Sequence, residues 1–198
     1  MNKLLKEIFD KLVSAISLIL LFPVMIIIGL LVKFSSEGPI IFKQERVGKK
    51  GKMFQIYKFR TMYHQPPREG TPVMGDPRVT PFGAFLRKWK LDELPELWNI
   101  LIGDMSFVGP RPYIPRMAEK LTGDHARILH WKPGMTGPAT LKYINEEKIL
   151  STVDDPDRYS NEVIFPDKVK INLEYLDHWN FAKDMRILCY TLIRKRLQ

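Results

Sequence analysis

The hydrophobic pattern divides the chain into a long apolar opening and a mixed body. No charged residue occurs between Lys11 and Lys33, and the apolar run is about 21 residues, long enough to cross a bilayer. Pro23 lies in its middle and removes a backbone hydrogen bond, so a kink is expected. Each half would be about 15 Å long, about one leaflet of hydrocarbon. A re-entrant helix and a kinked spanning helix are both compatible with this pattern.

In the body, apolar residues recur over short stretches with the period of a β-strand in some places and of an α-helix in others. Two β-rich stretches, 39–47 and 52–59, flank a glycine turn and predict a β-hairpin. Proline and glycine predict loops at 64–80 and at Lys132–Pro138. We expect a mostly helical α+β fold with a membrane helix over residues 1–35 and a second domain over 36–198. The predicted helices of the body are Phe82–Lys90, Leu94–Ile102, Ile114–Leu121, His125–Trp131, Asn145–Val153, Pro166–Asp177 and an amphipathic Phe181–Leu197.

Charge is concentrated around the apolar run. The formal net charge is +9, and residues 1–60 hold eleven Lys or Arg against four acidic residues. This distribution suits an anionic membrane surface better than nucleic acid, which is not an expected partner. The positive-inside rule then places the body at the cytoplasmic face. The single cysteine, Cys189, excludes an internal disulfide and fits a reducing compartment.

Two adjacent carboxylates, Asp92 and Glu93, stand where the helix Leu94–Ile102 is predicted to start. Asp is a common N-cap and Pro95 is tolerated in a first turn, so helix capping is one interpretation. The same position stabilises an anion, which would keep Asp92 ionised and able to attack an electrophile. Successive side chains point about 100° apart, so the pair would divide the work between a nucleophile and a supporting acid, base or metal ligand.

A rigid turn carries an arginine downstream of the acidic pair. Pro110 and Pro112 flank Arg111, and two prolines fix the backbone, so little entropy is lost when the guanidinium is presented. Arginine can bind a phosphate through two parallel hydrogen bonds. A stiff turn with a solvated arginine is the alternative interpretation. With Asp92, however, the turn supplies the anion and the cation that phosphoryl transfer needs.

Other cations lie in neighbouring segments. Strand alternation predicts that Lys58 and Arg60 share one face of the second strand, opposite two aromatic residues. These cations are candidates for phosphate contacts, and an ordinary amphipathic edge strand is the alternative. Arg87, Lys88 and Lys90 precede the acidic pair and would raise the local potential for an anionic substrate.

Several common sites are missing from the sequence. The four histidines, His64, His125, His130 and His178, have no metal-ligand spacing. There is no Walker loop, no dinucleotide fingerprint, and no local motif for a Ser-His-Asp triad. The candidate chemistry therefore depends on carboxylates, arginine and lysine.

Together these residues resemble the bacterial sugar transferase family, specifically the small monotopic phosphoglycosyl transferases. The resemblance runs along most of the chain, beginning with the proline-broken apolar segment. The chain departs from the family pattern in three places. Family members often have a small hydroxylic residue where this chain has Lys90, and Gln where it has Glu96, and the sequence after Gly137 also differs. The motifs that carry the resemblance are Glu45–Gly48, Lys58–Met62, Asp76–Gly83, Leu91–Pro95, Gly103–Ser106, Val108–Pro112 and Pro133–Gly137.

The resemblance implies a small body seated by a re-entrant helix at the cytoplasmic face of the bacterial inner membrane. It implies transfer of a sugar-1-phosphate from a UDP-sugar to a polyprenyl phosphate such as undecaprenyl phosphate, with release of UMP, as the first membrane step of surface glycan synthesis. Asp92 would attack the β-phosphorus and form an acyl-phosphate, Glu93 would assist, and Mg²⁺ would be required, with Asp92 as a ligand. Arg111 and Arg87 match positions that the family is expected to use for phosphate groups. With the candidates from the rigid turn and the strand, the expected substrate-binding residues are Arg111, Pro110, Pro112, Arg87, Lys58 and Arg60.

Without the family resemblance, the residues are also compatible with two other functions. A membrane-bound glycosyl transferase would pass only the sugar and would release UDP. A basic membrane-anchored adaptor would have no catalytic activity, and would tolerate the replacement Asp92→Ala. A homodimer is also left open.

Overall fold

The computed structural model describes residues 2–63 and 71–193, and its architecture is α+β, as predicted. Strands β1 (Ile41–Val47) and β2 (Met53–Phe59) pair antiparallel around a short 3-10 turn. The predicted hairpin is therefore confirmed. In the register of this hairpin Lys58 lies opposite Phe42, near the end of β2.

Helix α2 (Pro81–Trp89) packs tightly against the end of β2. It begins at Thr80, whose hydroxyl accepts a hydrogen bond from the backbone N–H of Gly83 at 2.9 Å. A Cβ atom on Gly83 would lie 2.1 Å from the carbonyl oxygen of Thr61, so only glycine fits there. The helix ends at Lys90, which has a left-handed backbone (φ 58°).

The acidic pair lies just after Lys90. Residues Leu91–Glu93 form a 3-10 turn, and helix α3 (Glu96–Ile102) follows it. The predicted helix is present, but Pro95 rather than Asp92 occupies its N-cap. The predicted start, Leu94, instead closes the 3-10 turn, and it packs against the same core cluster as Leu91.

Strands β3 (Ser106–Val108) and β4 (Gly134–Thr136) pair in parallel. The prediction of a loop over Lys132–Pro138 is therefore wrong at its centre. A Cβ on Gly134 would lie 2.1 Å from the backbone nitrogen of Gly109, so this pairing requires a residue without a side chain at position 134. A three-residue strand is too short to show alternation, which is why the pattern missed it.

The rest of the body is built from short helices. The segment Gly123–His130 forms 3-10 turns in place of the α-helix predicted at His125–Trp131. The other predicted helices are present with shorter or shifted bounds. His64 and the predicted helical residues 194–197 lie outside the described residues. The remaining helices are α4 (Pro115–Ala118), α5 (Pro138–Lys142), α6 (Glu146–Leu150), α7 (Pro156–Tyr159), α8 (Phe165–Asp177) and α9 (Phe181–Leu192), with one wide helical turn, Ser160–Ile164, joining α7 to α8.

Helix α1 (Asn2–Ser35) is one helix of 34 residues with Pro23 inside it, and it is long and apolar enough to cross a membrane. One side packs on the body at three levels. Phe9 meets Phe107 edge-on near the start, Leu21 packs on a core built from β2 and α3, and Val32 is fully buried near the end. The other side leaves large apolar side chains exposed all the way from Leu4 to Phe34.

The first turns of α1 are also tied to the body by charge. Asp184 of α9 is fully buried and accepts hydrogen bonds from Lys6 at 2.5 Å, Tyr175 at 2.5 Å and Trp179 at 3.1 Å. Lys6, one of the cations that flank the apolar run, is therefore bonded to the body. This buried cluster fixes the start of α1 against the C-terminal helices.

Candidate active site

Three buried carboxylates converge at the turn before α3 and at the first residue of α3. Asp92, Glu93 and Glu96 are each at most 7% exposed. Lys58 of β2 reaches two of them: its Nζ lies 2.8 Å from Oε1 of Glu93 and 3.1 Å from Oε1 of Glu96. Asn99 of α3 holds the two elements together, because its side-chain amide donates to the carbonyl of Gln55 in β2 at 2.7 Å.

Arg111 reaches the same cluster from the segment after β3. Its Nη2 donates to Oε1 of Glu93 at 2.5 Å, while 41% of its side chain remains exposed. Burial alone would raise the pKa of Glu93, but the positive charges of Arg111 and Lys58 hold that pKa well below its usual range. Glu93 is therefore ionised, and part of the Arg111 side chain stays accessible from solvent.

Asp92 differs from Glu93 in its partners. It is 7% exposed, and its Oδ1 is buried with no hydrogen-bond partner among the described residues. Burial, with repulsion from Glu93 second, raises the pKa of Asp92, and Lys58 and Lys90 oppose that rise. A carboxylate oxygen that is desolvated and lacks a donor is available to a metal ion or to an electrophile.

Glu96 is a member of the cluster that sequence reasoning did not select. Burial raises its pKa to about 7, with Lys58 opposing the rise and Glu93 adding to it. Its Oε1 makes no hydrogen bond within the part of the chain that the structure describes. No local pattern indicates this role, because Glu93 lies on the 3-10 turn, Glu96 begins α3, and Lys58, which contacts both, is distant in sequence.

Arg87 borders the cluster on the α2 side. Its Nε donates to the hydroxyl of Thr61 at 3.0 Å, and its Nη1 lies 3.1 Å from Oε1 of Glu147. Its positive charge lowers the pKa of Asp92, although less than Lys58 and Lys90 do. Arg87 is therefore within electrostatic reach of the carboxylate predicted to react.

Arg46 of β1 is a second residue that sequence reasoning missed. It donates from Nη1 to the carbonyl of Pro112 at 3.3 Å, next to Arg111. Burial, with repulsion from Arg111 second, lowers the pKa of Arg46 to about 10. In the sequence, Arg46 belongs to the motif Glu45–Gly48, which carries the family resemblance but indicates no role for the arginine.

Arg60 is not brought to this cluster. It is 5% exposed and donates to the carbonyls of Val32 at 3.0 Å and Ser36 at 2.6 Å, and also to that of Pro39. These carbonyls lie at or just beyond the end of α1, where backbone acceptors have no helical partner. Because β2 ends before Arg60, the alternation that grouped it with Lys58 no longer applies.

The prolines beside Arg111 serve to place it. The backbone N–H of Gly134 donates to the carbonyl of Pro110 at 2.8 Å, and Gly109 donates to Thr136 at 2.9 Å. Pro112 accepts the bond from Arg46. The arginine turn is thus held on one side by β4 and on the other by β1.

The described residues contain no group of three or more His, Cys, Asp or Glu side chains arranged to hold a metal. Mg²⁺ commonly takes one or two carboxylates together with substrate phosphates and water, so it does not need such a group. The unpartnered Oδ1 of Asp92 fits this mode of binding, with phosphates supplying the remaining charge.

The sequence match decides the family. Residues 1–196 match the model of the family described as bacterial sugar transferase. The chain belongs to the bacterial sugar transferase family. As a family member it is 36% identical, over 96% of its length, to the UDP-glucose:undecaprenyl-phosphate glucose-1-phosphate transferase of Xanthomonas campestris pv. campestris.

Two further relatives show how much of each protein this family member covers. It is 36% identical, over 98% of its length, to the Escherichia coli (strain K12) protein of the same name, and 37% identical, over 98%, to the uncharacterized sugar transferase EpsL of Bacillus subtilis (strain 168). It spans 38% and 40% of the Xanthomonas and Escherichia relatives but 88% of EpsL. The cluster around Asp92 therefore lies within the region shared with larger and smaller relatives alike.

Proposed function

We propose that this sugar transferase moves a sugar-1-phosphate from a UDP-sugar to undecaprenyl phosphate and releases UMP. Asp92 attacks the β-phosphorus of the donor, the bond to the UMP oxygen breaks, and a phospho-sugar aspartyl intermediate forms. The polyprenyl phosphate then attacks the same phosphorus and releases Asp92. The names of the relatives support the substrates, and the cluster around Asp92 supports the route.

The observation that carries this proposal is the difference between Asp92 and Glu93. The charge of Glu93 is taken up by Arg111 and Lys58, so it is stabilised and poorly nucleophilic. Asp92 has a buried oxygen without a donor and a raised pKa, which leave it the more reactive carboxylate. Of the two, Asp92 is the one with a buried oxygen that accepts no hydrogen bond from any described residue.

The surrounding cations suit a phosphoryl transition state. The side chain of Arg111 is 41% exposed and that of Arg87 is 21% exposed, so both cations are accessible beside the acidic cluster. Preorganised positive groups stabilise the charge that develops on the transferred phosphoryl oxygens. Mg²⁺, when bound through Asp92, would neutralise phosphate charge there.

The test is nucleotide release by detergent-purified protein with Mg²⁺, undecaprenyl phosphate and a panel of UDP-sugars. Wild-type protein is expected to release UMP from one or a few donors, and Asp92→Asn is expected to release none. Trapping a radiolabelled phospho-sugar on the wild-type chain, without the lipid acceptor, tests the covalent step. Release of UDP would favour a glycosyl transferase, and unchanged glycan assembly by Asp92→Asn in cells would favour an adaptor.

We further propose that α1 enters and leaves the membrane by its cytoplasmic face. The body contacts this helix before Pro23, at Phe9 and Leu21, and after it, at Val32. A helix that crossed the bilayer would separate these contacts by the hydrocarbon core. The exposed apolar side chains along the opposite side are then the part that faces lipid.

Single cysteines can test this topology, because Cys189 is the sole natural cysteine. In a Cys189→Ser background, Glu7→Cys and Glu37→Cys place one thiol near each end of α1. Re-entry predicts that a membrane-impermeant maleimide labels both in inside-out vesicles and neither in right-side-out vesicles. Labelling of the two from opposite sides would establish a spanning helix.

A further inference from the structure

One buried carboxylate at the candidate active site has no part in the reaction proposed above. Glu96 is 1% exposed, and its Oε1 makes no hydrogen bond with any described residue. The ammonium of Lys58 lies 3.1 Å from it, but donates its hydrogen bond to Glu93 at 2.8 Å. Glu93 and Glu96 therefore share one positive charge.

The sharing is unequal. Oε1 of Glu93 also accepts from Arg111 at 2.5 Å, so Glu93 contacts two cations. Among the described residues, Glu96 forms an ion pair with Lys58 alone. A buried carboxylate that lacks a full counter-charge and a hydrogen-bond donor is more stable when it holds a proton. The geometry thus favours an ionised Glu93 beside a neutral Glu96.

We propose that Glu96 is a positioning residue that carries a proton in the active form of the enzyme and thereby leaves Lys58 to Glu93. The inference rests on the proposed function, in which Asp92 reacts beside an ionised Glu93 that Arg111 and Lys58 hold in place. When Glu96 loses its proton to solvent, the new carboxylate competes for Lys58 and adds negative charge beside the acidic pair. Glu93 is then held less firmly, and the site is less favourable to an anionic donor.

The charges that face Glu96 determine where this change occurs. Burial and the carboxylate of Glu93 favour the proton, whereas the cations oppose it, and the resulting pKa is about 7. Helix α1 also packs on α3, but its Lys11 lies near Gly103, at the far end of α3. The groups that face Glu96 are Glu93 on the preceding turn, Lys58 from β2, Arg111 after β3 and Arg46 from β1.

The test compares the pH dependence of kcat/KM in wild type and Glu96→Gln, since glutamine keeps the shape and cannot lose a proton. Wild type is expected to lose activity as pH rises through the pKa of Glu96. The variant should lack this decline and exceed wild type by roughly three- to tenfold about one pH unit above the midpoint. Glu162→Gln is the matched control, because Glu162 is exposed and pairs with Arg158, and its profile should follow wild type. Parallel profiles for wild type and Glu96→Gln, or a uniform loss at every pH, would overturn the proposal.

A second measurement does not depend on activity. Infrared difference spectra of the substrate-free protein should show a protonated carboxylic C=O band that disappears as pH rises, and Glu96→Gln should lack that band. A wild-type protein without such a band overturns the proposal, whether or not a sugar donor has been found. Failure of the proposed transfer reaction would instead show in the nucleotide assay, so the two failures are distinguishable.

Discussion

Arg111 donates from Nη2 to Oε1 of Glu93 at 2.5 Å and so links the segment after β3 to the turn before α3. Glu93 is buried and Arg111 is 41% exposed along its side chain. The guanidinium is therefore bonded to the acidic pair at Glu93, while part of the Arg111 side chain remains accessible to solvent. A planar guanidinium presents its N–H donors in a rigid fork, which a lysine ammonium does not.

Two replacements of Arg111 should therefore distinguish the contribution of its positive charge from that of its planar guanidinium. We expect Arg111→Gln to lower kcat/KM for UMP release by roughly 100- to 1,000-fold, and Arg111→Lys by roughly 10- to 100-fold, because lysine restores charge without the fork. Arg127→Gln is the control, since Arg127 is an exposed arginine paired with Asp177, and it should stay within about twofold of wild type. Wild-type activity in Arg111→Lys would show that only the charge matters.

The close approach of β3 and β4 predicts a second effect on Arg111. In Gly134→Ala the new methyl would meet the nitrogen of Gly109 at 2.1 Å, so the strands must separate and the arginine turn must move. We expect a loss of about 1–3 kcal/mol in the free energy of unfolding, together with a large loss of UMP release. Gly123→Ala is matched, because Gly123 has a positive φ of 55° but nothing within 4 Å of its Cβ position. That variant should lose about 1 kcal/mol and keep its activity. Equal behaviour of the two would contradict the role of the strand contact.

The sequence predicted the hairpin, the apolar helix and the longer amphipathic helices, because each has enough residues to show its period. Lys58 and Arg111 lie beside the acidic pair in space. Strand alternation and the rigid turn made them candidates for phosphate contacts, and that role stays a prediction. The parallel pairing of β3 with β4 was missed because it joins two three-residue strands through contacts between glycines.

Glu96 and Arg60 show why side-chain roles were harder to predict. Glu96 looks like an ordinary first-turn acid, and only the approach of β2 turns it into a buried group that shares Lys58. Arg60 looks like a phosphate ligand, but the end of α1 arrives beside it with unpaired carbonyls. In both cases the partner is distant in sequence, so the role of the charged side chain depends on a tertiary contact that the local pattern does not show.

Asp10 predicts a pH-dependent stability. Burial raises its pKa, with Asp184 adding and Lys6 opposing. The unfolded chain therefore releases this proton at lower pH than the folded protein, and stability falls as pH rises from the ordinary aspartate value to the folded value. We expect Asp10→Asn to raise the unfolding midpoint at neutral pH by about 2–4 °C, on the order of 1 kcal/mol, and to have no effect below about pH 3.5. Thermal unfolding in detergent at both pH values measures this, and a lower midpoint for the variant at neutral pH would contradict it.

Lys90 predicts opposite effects on stability and on activity. Its left-handed backbone (φ 58°) costs a non-glycine residue about 1 kcal/mol, so Lys90→Gly should raise the unfolding midpoint by about 2–4 °C. The same change removes a cation that lowers the pKa of both Asp92 and Glu93, and UMP release should fall several-fold. Lys90→Asn, which also tolerates this backbone, should lose activity to the same extent, whereas Lys88→Gln should change neither quantity much. If Lys90→Gly unfolds at a lower temperature than wild type, the residue is not strained, and its lysine is held there by contacts worth more than the backbone costs.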